Sequence, residues 1–104
     1  MAAETFHTVA QVGEIPEGQG RAYEVDGRMV AVFLDGGQYF AVDDACPHQG
    51  YELNDGIVFD RSVTCKWHGW RFSLETGRHL DGSRSRVGTY PVRVVGDAIQ
   101  VGVD

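Results

Sequence analysis

Cysteine and long apolar runs are scarce in this sequence, and each shortage excludes a class of protein. Two cysteines among 104 residues are too few for the disulfide framework of a small secreted domain. No apolar stretch approaches the roughly 18 residues that a membrane-spanning helix needs. The opening residues, M-A-A-E-T, lack the basic start of a secretion signal. These shortages predict a cytoplasmic protein with no membrane partner.

Basic side chains are also scarce, especially in the first part of the chain. Residues 1–60 carry eleven acidic and two basic side chains, whereas residues 61–104 carry four acidic and seven basic ones, and the net charge is −6. Because phosphate binding needs a basic surface, nucleic acid is not an expected partner. The acidic excess is either a solvated face that favours solubility or a patch that docks a basic partner. Five bases lie late in the chain and predict a mixed or basic surface there: Lys66, Arg71, Arg78, Arg84 and Arg86.

Helical periodicity is absent, and short alternating segments separated by turn residues take its place. Fourteen glycines and strands of about five residues are typical of an antiparallel β-sandwich. We therefore predict an all-β fold filling residues 1–104 as one domain. The continuous apolar run at 28–34 predicts a strand buried on both faces. Strands are predicted at 6–12, 21–25, 28–34, 38–42, 71–74, 90–94 and 99–103, with a hairpin at 57–64.

Both cysteines lie in one stretch that also contains two of the four histidines. Cys46 and His48 form a C-x-H pair, Cys65 and His68 form a C-x2-H pair, and sixteen residues separate the two pairs. Proline and glycine around the pairs predict loops. The hairpin between these loops would bring them side by side, so that the four side chains converge on one metal centre.

Two metals fit such a set of ligands. Zinc accepts two thiolates and two imidazoles, but its usual spacing pairs like ligands, as in C-x2-4-C followed by H-x3-5-H. Mixed pairs suit a binuclear centre in which one iron takes both cysteines and the other takes both histidines. On this motif, and on the strand pattern around it, the chain resembles the Rieske-type ferredoxins, whose signature is C-x-H, about fifteen to seventeen residues, then C-x2-H.

The resemblance implies one Rieske-type 2Fe-2S cluster bound by Cys46, His48, Cys65 and His68. It also implies that the loops at about 45–51 and 64–70 form a small three-stranded cluster-binding subdomain at one tip of the sandwich. The iron held by the two histidines would be the outer one. An exposed imidazole edge then shortens the path of an electron to a partner.

The residues around the motif imply a low reduction potential. High-potential relatives have a disulfide between the ligand loops and hydroxyl donors near the cluster. By alignment on the motif, the disulfide positions here are Tyr51 and Trp67, and the hydroxyl positions are Trp70 and Phe72. These departures predict a potential of about −150 mV, at the low end of the family range, and exclude a quinol donor. Residues 78–88 lack the prolines of the family's covering loop, so the cover over the cluster is not predicted.

The resemblance implies a monomeric electron carrier rather than an enzyme. It would pass single electrons from an NAD(P)H-dependent flavoprotein reductase to the terminal oxygenase of an aromatic-ring dioxygenase or monooxygenase system, docking transiently with each. A catalytic oxygenase needs a further large domain with a mononuclear iron, and only His7 and His79 remain, both expected to face solvent. Two alternatives stay open, the small subunit of a nitrite reductase and a redox-silent zinc-binding module.

Overall fold

The computed structural model describes residues 5–45, 52–66, 69–82 and 84–103. Within these ranges the chain forms ten strands and no helix, so none of the described segments is a long apolar helix of the kind that crosses a membrane. The all-β prediction is confirmed. The strands are β1 (Thr5–Gln11), β2 (Gly20–Val25), β3 (Arg28–Asp35), β4 (Gln38–Asp43), β5 (Ile57–Phe59), β6 (Ser62–Thr64), β7 (Arg71–Ser73), β8 (Thr89–Tyr90), β9 (Val92–Val95) and β10 (Ala98–Val103).

Three antiparallel sheets form three layers. The middle layer has the order β2-β3-β4-β8, and the outer layers have the orders β1-β10-β9 and β5-β6-β7. Along β3, Val30 and Val32 pack into the core shared with β1 and β10. The alternate residues, Ala31 and Phe33, pack into the core shared with the β5-β6-β7 sheet. Burial on both faces explains the continuous apolar run of β3 and confirms that prediction.

The predicted hairpin at 57–64 is confirmed as β5 and β6. Its turn residues, Asp60 and Arg61, have φ angles of 51° and 57°, as a two-residue type I′ turn requires. The amide of Arg61 donates a hydrogen bond of 2.6 Å to the carboxylate of Asp35, which ends β3. This bond ties the small sheet to the middle sheet.

The predicted strand at 90–94 is wrong, because the chain changes sheets at Pro91. Tyr90 belongs to β8, which pairs with β4, whereas β9 starts at Val92 and pairs with β10. Proline has no amide hydrogen for a ladder, so it marks a natural break between two pairings. Val94, in the middle of β9, is 46% exposed.

Candidate metal centre

One of the four candidate ligands, Cys65, lies in the part of the chain that the structure describes. It directly follows β6, and its thiol is free and fully buried. Its amide donates to the carbonyl of Trp70 at 2.8 Å, and its carbonyl accepts from the amide of Gly69 at 2.9 Å. These bonds close the base of the second ligand loop. The other three candidates lie outside the described residues: Cys46, His48 and His68.

The surroundings of Cys65 fit a thiolate ligand of an inner iron. The side chain sits in an apolar core, and water is excluded from it. Elsewhere in the described ranges, no group of three or more histidine, cysteine or acidic side chains is placed to hold a metal ion. The centre is therefore expected at the two ligand loops. The core around the thiol is formed by Leu53, Val63, Phe72, Leu74 and Val87.

The ends of the first ligand loop are held together by Asp44. This residue lies one position after β4, and its carboxylate accepts hydrogen bonds from the amides of Leu53 at 2.9 Å and Asn54 at 2.8 Å. The side-chain amide of Asn54 donates to the same carboxylate at 3.0 Å. Residues on both sides of 46–51 are thus fixed to one carboxylate. We call these bonds the Asp44 clasp.

The preceding residue, Asp43, binds a different segment, at Gly88 and Tyr90. Its backbone amide donates to the carbonyl of Gly88 at 2.9 Å. Its carboxylate accepts from the amide of Gly88 at 2.9 Å and from the hydroxyl of Tyr90. Burial, and after it the hydrogen bond to Asp43, raises the pKa of Tyr90. Sequence reasoning missed both aspartates, which lie just before C-P-H with Ala45 between them and the motif.

Residues 77–82 and 84–87 lie antiparallel to each other beside the second ligand loop and are called here the covering hairpin. Isolated bridges pair Phe72 with His79 and Arg78 with Arg86. The ring of His79 stacks on Trp70, with 4.2 Å between ring centroids and 14° between planes. The side chain of His79 is only 4% exposed, so the prediction of a solvent histidine was wrong.

Trp70 is partly buried and packs against the apolar core around Cys65. Trp67 lies outside the described residues.

Arg71, the residue after Trp70, binds Asp81 at 2.8 Å. The hydrogen bond from Arg71 lowers the pKa of Asp81.

Comparison with known proteins decides between the two metals. Residues 5–91 match the model of the Rieske [2Fe-2S] domain. The chain belongs to this family. Its cofactor is therefore a Rieske-type 2Fe-2S cluster, and the zinc interpretation is wrong.

Relatives of this Rieske protein include electron-transfer components. The ferredoxin component of the naphthalene 1,2-dioxygenase system of Pseudomonas aeruginosa is 33% identical, over 85% of this chain and 86% of its own. The ferredoxin of carbazole 1,9a-dioxygenase from Nocardioides aromaticivorans IC177 has a TM-score of 0.87 and 30% identity, covering 93% of this chain and 96% of that one. These matches confirm the expectation of an electron carrier.

A second kind of relative shares the Rieske fold equally well. A proposed small subunit of an NADH-dependent nitrite reductase from Mycobacterium tuberculosis has a TM-score of 0.93 and 32% identity. The match covers 99% of this chain and 98% of that one. Likeness to known proteins therefore points to two kinds of redox partner.

The Asp44 clasp is expected to control retention of the Rieske cluster. Asp44→Ala leaves the amides of Leu53 and Asn54 without their acceptor and lowers the free energy of unfolding by about 2 kcal/mol. Because the clasp closes the first ligand loop, the variant should also lose its visible absorption severalfold faster in the presence of a chelator. Asp55→Asn, an exposed change in the adjacent turn, is the control and should match the wild type. Equal rates of cluster loss in the two variants would contradict this role.

The bond between Tyr90 and Asp43 is expected to give a pH-dependent contribution to stability. Because the pKa of Tyr90 is raised in the folded protein, this contribution is complete below the usual tyrosine pKa and disappears as pH rises through the folded value. Tyr90→Phe should lower the free energy of unfolding by about 1 kcal/mol at neutral pH. The difference should shrink above about pH 10. Urea titrations of this variant and of Tyr39→Phe, a partly buried control in β4, measure it, and a constant difference at all pH values would refute it.

Proposed function

We propose that this protein is a soluble, low-potential Rieske ferredoxin that carries single electrons from an NAD(P)H-dependent flavoprotein reductase to a terminal oxygenase. The observation that carries the proposal is the aromatic wall beside the second ligand loop. Phe72 is fully buried there, and Trp70 stacks on His79. Aromatic rings occupy the two positions at which high-potential relatives have hydroxyl donors. A cluster without those donors holds an added electron less tightly, which suits electrons that begin on a nicotinamide.

The proposed ligands are Cys46 and Cys65 on one iron and His48 and His68 on the other. When bound, the cluster supplies one-electron transfer and no substrate chemistry. Full burial of Cys65 supports an inner position for the iron held by the cysteines. The histidine side would then face outward, towards a partner.

The remaining parts of the proposal concern the setting of the carrier. We propose one domain over residues 1–104, with ligand loops at about 45–51 and 64–70, acting as a monomer in the cytoplasm. The relative from the naphthalene 1,2-dioxygenase system supports an aromatic-ring oxygenase as the acceptor. Docking with the reductase and the oxygenase would be transient, because a carrier must leave one partner to reach the other.

A nitrite reductase subunit is the second candidate, favoured by the near-complete overlap with the structure from Mycobacterium tuberculosis. The two candidates differ in how long the partner stays bound. An NADH titration with catalytic amounts of a flavoprotein ferredoxin reductase should bleach the visible bands of the carrier over many turnovers. Stable co-elution with a nitrite reductase large subunit, together with no reduction by the ferredoxin reductase, would overturn the carrier proposal.

A further inference from the structure

Three arginines meet on the outer side of the covering hairpin. Arg78, Arg84 and Arg86 are all exposed and, together with Ser85, line one surface pocket. Arg78 and Arg86 are paired directly across an antiparallel bridge. Like charges directly opposite each other destabilise such a pairing. We call these three residues the arginine triad. The stability of the fold alone therefore does not explain why arginines occupy these positions.

Nothing acidic in the described ranges neutralises the arginine triad. No carboxylate there lies within 4.0 Å of its guanidinium nitrogens, whereas Arg71 pairs with Asp81 at 2.8 Å. Arg86 uses one donor on the backbone carbonyl of Thr76, at 3.3 Å. Guanidinium groups without a carboxylate partner keep their other donors available for a carboxylate from outside.

Neighbouring carboxylates hydrogen-bond to groups other than the arginine triad. Asp43 and Asp44 share a surface groove with Arg86. However, Asp43 accepts from Gly88 and Tyr90, and Asp44 is held in its clasp. Their charges weaken the local positive potential, but each of their oxygens already accepts a hydrogen bond. The triad thus forms a positive surface on a chain whose net charge is −6.

The position of the arginine triad links it to electron transfer. One face of the covering hairpin presents His79, which stacks on Trp70. The carbonyl of Trp70 accepts from the amide of Cys65, a proposed cluster ligand. An anionic group bound at the triad would therefore lie on a segment that contacts the end of the second ligand loop through His79 and Trp70.

We propose that the arginine triad docks the carboxylate-bearing face of a redox partner protein and so brings that partner to the cluster end. This inference rests on the proposed function as a carrier. Arginine pairs with carboxylates through two parallel hydrogen bonds, which gives orientation as well as attraction. A nucleic acid fits less well, because an extended polyanion would also meet the acidic surface contributed by residues 1–60. The acidic surface also repels a partner that approaches from the wrong side.

The local potential can be measured with small oxidants of opposite charge on the intact protein. The trianion hexacyanoferrate(III) and the trication tris(phenanthroline)cobalt(III) each take one electron from the reduced protein. With the triad at the electron exit, the rate for hexacyanoferrate should fall about tenfold as salt rises from about 10 mM to about 200 mM, despite the negative net charge. The cobalt complex should show no such fall.

Variants of Arg84 distinguish the effect of the arginine triad on the oxidation rate from the effect of the net charge. Arg84→Glu should slow oxidation by hexacyanoferrate about fivefold at low salt, whereas Arg84→Lys should keep most of the wild-type rate. Arg21→Glu makes the same charge change on β2, at the far edge of the middle sheet, and should alter the rate by less than about twofold. Poly-L-glutamate, as a probe of a carboxylate surface, should slow oxidation of the wild type at low salt but not of Arg84→Glu.

Several results would overturn the inference. A hexacyanoferrate rate that rises with salt would show that the net charge governs access. Equal effects of Arg84→Glu and Arg21→Glu would remove any special role for the triad. A DNA oligonucleotide that inhibits more strongly than poly-L-glutamate would exclude carboxylate recognition. These assays need only a reducible cluster, so failure of the triad is distinguishable from failure of the reductase assay.

Discussion

Cys65→Ser is expected to abolish the visible absorption and the low-temperature electron paramagnetic resonance signal of the purified protein. The thiol of Cys65 is fully buried, and the backbone of this residue is held by bonds to Trp70 and Gly69. A serine hydroxyl at this fixed position is a shorter and harder donor than the thiolate that iron-sulfur clusters require. Because these bonds hold the backbone of Cys65 in place, loss of the cluster should be complete.

A packing control distinguishes lost ligation from lost stability. Val63→Ala removes apolar volume from the same core and should cost about 2 kcal/mol of unfolding free energy. It removes no ligand, so this variant should keep its cluster and its spectrum. An intact spectrum in Cys65→Ser, or loss of the cluster in both variants, would contradict the assignment of Cys65 as a ligand.

Gly77→Ala is expected to be among the most destabilising single changes in the covering hairpin. Gly77 has a φ of +77°, and an added Cβ would lie 2.1 Å from the carbonyl oxygen of Val87. The obstructing atom is backbone, fixed because the amide of Val87 donates to the carbonyl of Gly77 at 2.8 Å. The hairpin must separate to admit the methyl group. We expect a loss of about 3 kcal/mol or more in the free energy of unfolding, measured in urea.

Gly27→Ala is the matched control for this change. Gly27 has a similar φ of +81°, but no atom lies within 4 Å of the added Cβ. This variant reports the cost of the backbone conformation alone, about 1 kcal/mol. The difference between the two variants then measures the clash with Val87. Equal losses of unfolding free energy in the two variants would show that the covering hairpin accommodates the methyl group without strain. The close contact between Gly77 and Val87 would then not matter for stability.

Local pattern predicted much of the fold because alternation and turn residues act over a few positions. The apolar run ending at Leu34 predicted a strand buried on both faces. The hairpin at 57–64 was predicted because loop residues flank it on both sides. The change of sheet at Pro91 was not predictable in this way. It depends on β4 and β10 competing for successive residues of one segment.

The ligand pairs were predicted from spacing, whereas the residues that support them were not. Asp43 reaches Gly88 and Tyr90, more than forty positions away, and burial of His79 depends on stacking against Trp70. Such contacts arise only when separate segments are brought together by the fold. No alternation or motif in the sequence encodes the partner, so each side chain read alone looked like a solvated polar residue.

The central claim is that this protein is a low-potential Rieske carrier, and its midpoint potential tests that claim most directly. Voltammetry of the purified protein at neutral pH should give a reversible one-electron wave at about −150 mV, at the low end of the Rieske range. A wave several hundred millivolts higher would contradict the account, because electrons at that potential suit a quinol-linked role. A metal-loaded protein with no wave at all would contradict it as well.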